Sequence, residues 1–392
     1  MKFSYRCTDC GLSLEIKPNV QLCPACSSSG QPDKPLKGVL ETVCEGTPDA
    51  SPFDETVDFI HQLLPVEKKY FPSIPVGMTP LWEPENLRKR LNLKNLFIKD
   101  DTLNPTGSLK DRASFLVAAF ARKYKITDIV VASTGNAASS MAGIGAAAGL
   151  NVKIFIPSSA PKAKMVQALQ YGADVTLVDG TYDLAFEKSI EYTNKYGGMN
   201  RNTAYNPLTL EGKKTAALEV FAQMRRVPDH VFVPVGDGVI LGGLYRGFID
   251  LFEKGYTDKI PVIHSVQAEG SSAINRALAG GGFTAPVKSD TIADSISVDI
   301  PRNGYYAVNM LKKYSGTGVT VTDKEILEAQ KTLASSTGLF AEPSSASALA
   351  GLLKIRDSID DNAYTALIVT GNGLKDIDGA MRALKMEGEK LA

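Results

Sequence analysis

The 392-residue chain is poor in several things that define whole functional classes. It holds three histidines, His61, His230 and His264, and none lies inside a glycine-rich or cysteine-rich motif. A histidine-based nucleophile triad or a histidine-rich metal site is therefore a poor reading. The chain has no net charge, 43 Lys plus Arg standing against 43 Asp plus Glu, so nothing draws it broadly to nucleic acid or to an anionic membrane. No apolar run approaches the roughly 18 residues of a spanning helix. The opening Met1-Lys2-Phe3-Ser4-Tyr5-Arg6-Cys7 lacks the apolar core of a secretory signal. These absences point to a soluble cytoplasmic protein whose partner is a small molecule, with neither nucleic acid nor membrane as a partner. The length suits roughly two or three domains, and no internal repeat or low-complexity tract is evident.

Cysteine is scarce too, yet four of the five form Cys7-x-x-Cys10 and Cys23-x-x-Cys26, with twelve residues between the pairs. That spacing predicts a tetrahedral four-cysteine zinc ribbon, or a degenerate one, over residues 1–34. Disulfides do not suit a cytoplasmic protein, and a redox pair is the weaker alternative. A closed site of four thiolates leaves no open coordination position, so the zinc would be structural. Up to Gly30, Lys2, Arg6 and Lys17 alone bring positive charge, which argues against a nucleic-acid reader. Cys44 stands alone and reads as a packed thiol.

After a proline-rich segment to about Ile74, short β-branched runs alternate with helical stretches. The runs are Ile129 to Val131, Val152 to Ile156, Val175 to Val178, Val231 to Val235, Val262 to Val266 and Ala366 to Val369. Helical periodicity covers, among others, Ala163 to Tyr171, Leu184 to Tyr196 and Lys324 to Ser335. The fold class is α/β with mainly parallel sheets, and ligands in such folds gather where strand ends meet helix starts.

Three motifs sit at such places. Asn104-Pro105-Thr106-Gly107-Ser108-Leu109-Lys110 is turn chemistry leading into a helix, with Ser108 placed to cap it and Lys110 in its opening turn. A lysine there reads either as a solvated surface residue or as an amine that condenses with an aldehyde cofactor. Ser133-Thr134-Gly135-Asn136 opens a second helix, as a carboxylate site or as an ordinary capped start. Gly236-Asp237-Gly238-Val239-Ile240 follows a strand and suits a phosphate monoester; it lacks both the dinucleotide fingerprint and the Lys-Ser/Thr of a P-loop. Near the end, Thr370 tips a strand, either facing a ring nitrogen or closing a turn.

Taken in order, Asn-Pro-Thr-Gly-Ser-Leu-Lys-Asp-Arg, Ser-Thr-Gly-Asn, the glycine loop after Val-Pro-Val, Leu339 to Ala346, and Thr370-Gly371-Asn372-Gly373-Leu374-Lys375-Asp376 resemble the threonine synthases. These belong to the tryptophan-synthase-β-like enzymes that use pyridoxal 5′-phosphate (PLP). The resemblance spans about residues 75 to 380, with Asn206 to Thr215 and Gln267 to Gly270 as further family-like segments. It implies fold type II in two domains: a large PLP-binding domain of residues 35–113 and 212–392, and a small substrate-carboxylate domain of residues 114–211. It implies a homodimer as well. Lys110 would hold PLP, Asn136 would contact its 3′-oxygen, and Gly236, Asp237, Gly238, Val239 and Ile240 would bind its phosphate. Thr370 would face the pyridine nitrogen, while Ser133, Thr134 and Gly135 would take the substrate carboxylate.

The implied activity is a carbon–oxygen lyase acting on phosphates, turning O-phospho-L-homoserine and water into L-threonine and phosphate. Threonine synthases typically carry an arginine where this chain has Thr209, and a threonine cannot replace a bidentate guanidinium on a phosphate. Arg201 is the nearby substitute. The alternative substrate is O-phosphoserine or a related amino acid in a cysteate-synthase-like β-replacement. A third reading, from another class, is a zinc-ribbon regulatory protein on a dead enzyme scaffold, against which the intact Lys110 argues.

Overall fold

The computed structural model describes residues 1–133, 135–158 and 162–386. Its strands in chain order are β1 (Lys2–Cys7), β2 (Ser13–Leu14), β3 (Leu40–Glu45), β4 (Leu81–Trp82), β5 (Leu96–Asp100), β6 (Asp128–Ala132) and β7 (Asn151–Pro157). They continue as β8 (Asp174–Val178), β9 (Met199–Asn200), β10 (His230–Pro234), β11 (Val262–Ala268), β12 (Thr317–Val321) and β13 (Thr365–Val369). The chain divides into two compact units. One comprises Met1–Gly30, Leu36–Met78 and Asn104–Thr215; the other comprises Gln31–Pro35, Thr79–Leu103 and the chain from Ala216 onward.

The first unit holds a parallel sheet in the order β8-β7-β6-β9. Ile129, Val130 and Val131 of β6 are buried, since helices cover a parallel sheet on both faces and every position becomes apolar. The helix Asn136–Ala148 packs closely because its residues are small. A Cβ on Gly143 would lie 2.7 Å from Thr106 Cγ2, and one on Gly145 would lie 2.4 Å from Val152 Cγ2. The helix ends on Gly149 in the left-handed conformation that glycine adopts without strain.

The first unit also carries the ribbon, where β1 pairs antiparallel with both β2 and β3. Cys7 closes β1 opposite Leu40, and Tyr5, Cys7, Cys23 and Leu40 form a small buried core. This pairing ties the ribbon to residues 40–45, and the helix Leu208–Lys213 packs near β3. The units are consequently drawn differently from the expected division into 1–34, 35–113 with 212–392, and 114–211. Residues 36–78 and 104–113 join 114–211 rather than the chain beyond 212.

The second unit is built on a six-stranded sheet, β12-β11-β10-β13-β5-β4, parallel except for β4 against β5. The helix Pro343–Lys354 is buried over its first ten residues, and proline opens it where a missing N–H costs nothing. The helix Asp323–Thr337 starts in a capping box of Thr322 and Glu325 and stops at Gly338. The three expected helices are present with their ends shifted by one or two residues, as Lys162–Gln170, Tyr182–Tyr196 and Asp323–Thr337.

Candidate active site

In the first unit, Lys110 begins a fourteen-residue helix, Lys110–Lys123, and is half-buried. The turn before it is fixed by Asp111, a fully buried carboxylate that accepts the Thr106 backbone N–H at 2.7 Å and the Thr106 hydroxyl at 2.5 Å. Gly107 takes a positive φ of 83°, and its N–H closes the turn on the Asn104 carbonyl at 2.8 Å. Ser108 does not cap the helix, contrary to expectation. Leu109, which precedes Lys110, is already in right-handed helical geometry, and no side chain caps this helix start. The Ser108 hydroxyl is buried without a hydrogen-bond partner among the described residues.

Ser133 follows β6, and its hydroxyl accepts the Gly135 N–H at 3.2 Å. Asn136 is buried at the start of its thirteen-residue helix, while Thr134 lies outside the described residues. One turn past Asn136, the Ser140 hydroxyl donates to Ser114 Oγ at 2.7 Å, and Ser114 lies one turn past Lys110. Arg201 completes this group. Its guanidinium is 1 % exposed and donates from Nη2 to Ser114 Oγ at 3.4 Å, while its backbone N–H bonds the Val130 carbonyl. Thr209 is buried in the helix Leu208–Lys213, where its hydroxyl turns back to the Asn206 carbonyl at 2.8 Å.

In the second unit, β10 runs into Gly236-Asp237-Gly238, which opens the fifteen-residue helix Val239–Glu253. A Cβ on Gly236 would approach Ile296 Cα to 2.9 Å, and Gly238 sits at φ +87°, so both positions require glycine. Asn303 holds this loop from outside. Its N–H bonds the Asp237 carbonyl at 2.9 Å, and its side-chain amide bonds the Gly238 carbonyl at 3.1 Å. The Asp237 carboxylate accepts the Val239 N–H at 2.9 Å, occupying one of the first-turn donors. At the end of β13 the hydroxyls of Thr370 and Ser345 lie 2.8 Å apart. Sequence reasoning missed Ser345, Ser114, Ser140 and Asn303 as supports; the family-like segment Leu339 to Ala346 was the one available signal, for Ser345.

The four ribbon thiols of Cys7, Cys10, Cys23 and Cys26 all lie within 4.8 Å of one another. Cys10 Sγ and Cys23 Sγ are 3.8 Å apart. A tetrahedron with metal–sulfur bonds of about 2.3 Å has edges of about 3.8 Å, so the donor set suits a zinc-sized ion. A backbone hydrogen bond from Leu12 pulls the Cys10 thiol down to about 7 and favours the thiolate that a metal takes.

Comparison with known proteins shows where these features belong. Residues 73–371 match the family model described as "Pyridoxal-phosphate dependent enzyme". A threonine synthase from Methanocaldococcus jannaschii is 36 % identical over 329 residues, 82 % of this chain and 81 % of that protein. The chain belongs to the threonine synthases, among the PLP-dependent enzymes. The Synechocystis member of that family is 36 % identical over 78 % of this chain and 79 % of its own. The Mycobacterium bovis member is 32 % identical over 81 % and 88 %. The fold-type II architecture is that of threonine deaminase isoform 2 from Solanum lycopersicum, at TM-score 0.71 and 23 % identity over 89 % of this chain and 92 % of that one. Maize serine racemase shares it at TM-score 0.69 and 20 % identity, over 80 % and 93 %.

The residues present fit PLP. A half-buried lysine stands beside the orphaned Ser108 hydroxyl at one helix start. A glycine loop with no room for side chains opens a long helix whose N-terminal N–H groups favour a phosphate.

Proposed function

We propose that this chain is a PLP-dependent threonine synthase converting O-phospho-L-homoserine and water to L-threonine and phosphate. The observation that carries the reading is Lys110, fixed by the Asp111–Thr106 turn at a helix start, in a chain 36 % identical to a threonine synthase over four-fifths of both lengths. Bound PLP supplies the electron sink that makes protons at the substrate's Cα and Cβ removable. The chain's own residues do the rest. Lys110 Nζ would hold the cofactor through its aldehyde, and as a free amine it would move protons at the substrate's Cα and Cβ. Ser133, Thr134 and Gly135 orient the substrate carboxylate, and Asn136 would contact the cofactor's 3′-oxygen.

The loop Gly236 to Ile240 cradles the cofactor phosphate, with the Asp237 carboxylate turned onto Val239. Thr370, positioned by Ser345, offers a neutral hydroxyl to the pyridine nitrogen, which stabilises a protonated ring less than an aspartate does and leaves more of the proton handling to Lys110. Arg201 serves the substrate phosphate. Loss of that phosphate with removal of a Cβ proton, return of a proton to Cγ to make the methyl group, and addition of water at Cβ give threonine.

Cys7, Cys10, Cys23 and Cys26 hold a structural zinc, and the working form is a cytoplasmic homodimer. No helix among the described residues is long and apolar enough to cross a membrane.

One observation favours a second reading. The Thr209 hydroxyl is committed to Asn206, so α-amino acids with another leaving-group geometry, as in β-replacement on O-phosphoserine, suit the same carboxylate and cofactor residues. A product assay separates them. Threonine and phosphate from phosphohomoserine support the first reading. Inertness toward phosphohomoserine, together with turnover of O-phosphoserine and sulfite or sulfide, replaces it with the second.

A further inference from the structure

Asn303 breaks a local rule. It stands at the N-cap of the helix Gly304–Lys313, where an asparagine side chain ordinarily accepts one of the open first-turn N–H groups. Here the side chain caps nothing. It is buried, its Nδ2 donates to the Gly238 carbonyl at 3.1 Å, and its Oδ1 has no hydrogen-bond partner among the described residues. A forgone cap and an unpaired buried acceptor both lower stability, and such departures collect where a residue serves function instead.

The glycine loop is what the departure secures. The Asn303 backbone N–H donates to the Asp237 carbonyl at 2.9 Å, so one residue grips two successive carbonyls, those of Asp237 and Gly238. In a trans peptide the C=O and the N–H across the bond point opposite ways. With both carbonyls turned to Asn303, the N–H groups of Gly238 and Val239 turn together to the other side of the loop. This anion-binding arrangement needs the left-handed backbone of Gly238, at φ +87°. The Val239 N–H meets the Asp237 carboxylate, which leaves the Gly238 N–H and the later first-turn donors of the Val239–Glu253 helix to an incoming anion. That carboxylate opposes an anion, so the aim of the remaining N–H groups decides how well one is held.

Close packing behind the loop keeps the grip in place. A Cβ on Gly242 would lie 2.9 Å from Asn303 Nδ2, and one on Gly238 would lie 2.9 Å from Ala307 Cβ. The Ala307 N–H in turn bonds the Asn303 carbonyl at 3.0 Å.

We propose that Asn303 is a positioning residue that sets the enzyme's preference for a phosphorylated cofactor, by aiming the loop N–H groups at the cofactor phosphate. The inference rests on the reading of Gly236 to Ile240 as the phosphate loop, and not on which amino acid is turned over. Asn303 acts through the loop alone. Removing its amide frees the Gly238 carbonyl to turn, and affinity falls only where a phosphate is there to be held.

The test compares the dissociation constants of PLP and of pyridoxal, the same aldehyde without the phosphate, for the full-length chain, read from the absorbance of the bound cofactor. Asn303→Ala should weaken PLP about 2- to 10-fold, the range for one neutral hydrogen bond. Asn303→Asp sets a carboxylate against the Gly238 carbonyl and adds a negative charge behind the loop. It should weaken PLP about 10- to 100-fold, the range for disturbing a hydrogen bond to a charged group. Pyridoxal should bind both variants as it binds the wild type, whereas a merely structural role would lower both affinities alike and leave their ratio unchanged.

An unchanged ratio in the two variants overturns the proposal. Should neither variant fold, Gly242→Ala decides, because its Cβ displaces the Asn303 amide while Asn303 itself stays. It should lower the same ratio, and no change overturns the proposal. A wild type that binds pyridoxal as tightly as PLP overturns the proposal together with the loop's assignment; variants that keep the wild-type ratio in an enzyme that prefers PLP overturn this proposal alone.

Discussion

The hydroxyls of Thr370 and Ser345 meet at 2.8 Å where β13 ends and the Pro343 helix begins. Ser345 is fully buried, and its N–H is held by the Glu342 carbonyl, so Ser345 fixes the direction in which the Thr370 hydroxyl points. If Thr370 serves the pyridine nitrogen, Thr370→Val should lower kcat about 2- to 10-fold, the range for one neutral hydrogen bond. The absorption band of the bound cofactor should shift as well. Ser345→Ala should produce a smaller loss of the same kind. A Thr370→Val enzyme with wild-type kcat and spectrum would remove Thr370 from the cofactor's surroundings.

Lys110→Ala should abolish turnover, because no other residue is assigned both the cofactor aldehyde and the proton transfers. Borohydride reduction of the wild type followed by peptide mapping gives the direct check. The pyridoxyl group is expected on Lys110, and its recovery on Lys213 or Lys214 would reassign the centre of the site.

How much of this was legible beforehand follows from what each feature depends on. The runs at β6, β7, β10, β11 and β13 were readable because parallel strands covered on both faces are continuously apolar. β12, Thr317–Val321, shows no such run, and β1 is half solvent-facing, so neither announced itself. The helix starts at Lys110, at Asn136 and after the Gly236 loop were legible from turn chemistry, which is local. Ser114, Ser140, Ser345 and Asn303 are ordinary small polar residues whose partners lie from 25 to 87 residues away, and apart from the family-like segment around Ser345 nothing in their own neighbourhood marks them. The two compact units are likewise not readable from local pattern, since β1 is tied to β3 across more than thirty residues.

Cys23→Ser should lower zinc content and loosen the first thirty or so residues while leaving the cofactor spectrum largely intact, because a closed four-thiolate site has no catalytic position. Elemental analysis of wild type and variant decides it. A metal-free wild type would make the ribbon degenerate, and loss of turnover with fold and cofactor intact would assign it a catalytic role.

The last prediction concerns acid stability. His264 is 3 % exposed, stacked on Phe232 at 4.2 Å, with Nδ1 2.7 Å from Thr317 Oγ1 and Nε2 3.0 Å from His230 Nδ1. Burial, helped by His230, pushes its pKa down to about 3. His230 is itself lowered by burial, opposed by Asp229 and reinforced by Lys259. The folded state thus binds fewer protons than the unfolded chain between about pH 3 and the unperturbed value near 6.5. Its stability should rise with pH across that window and fall as the solution is acidified, by up to about 1.4 kcal/mol per pH unit from this one group. Urea unfolding of the wild type at pH 6.5 and 4.5 measures the fall. His264→Gln keeps side-chain hydrogen bonding without a group that titrates there, and should flatten the slope although the variant is less stable at neutral pH. Equal slopes in the two proteins would show that His264 does not set the acid limit.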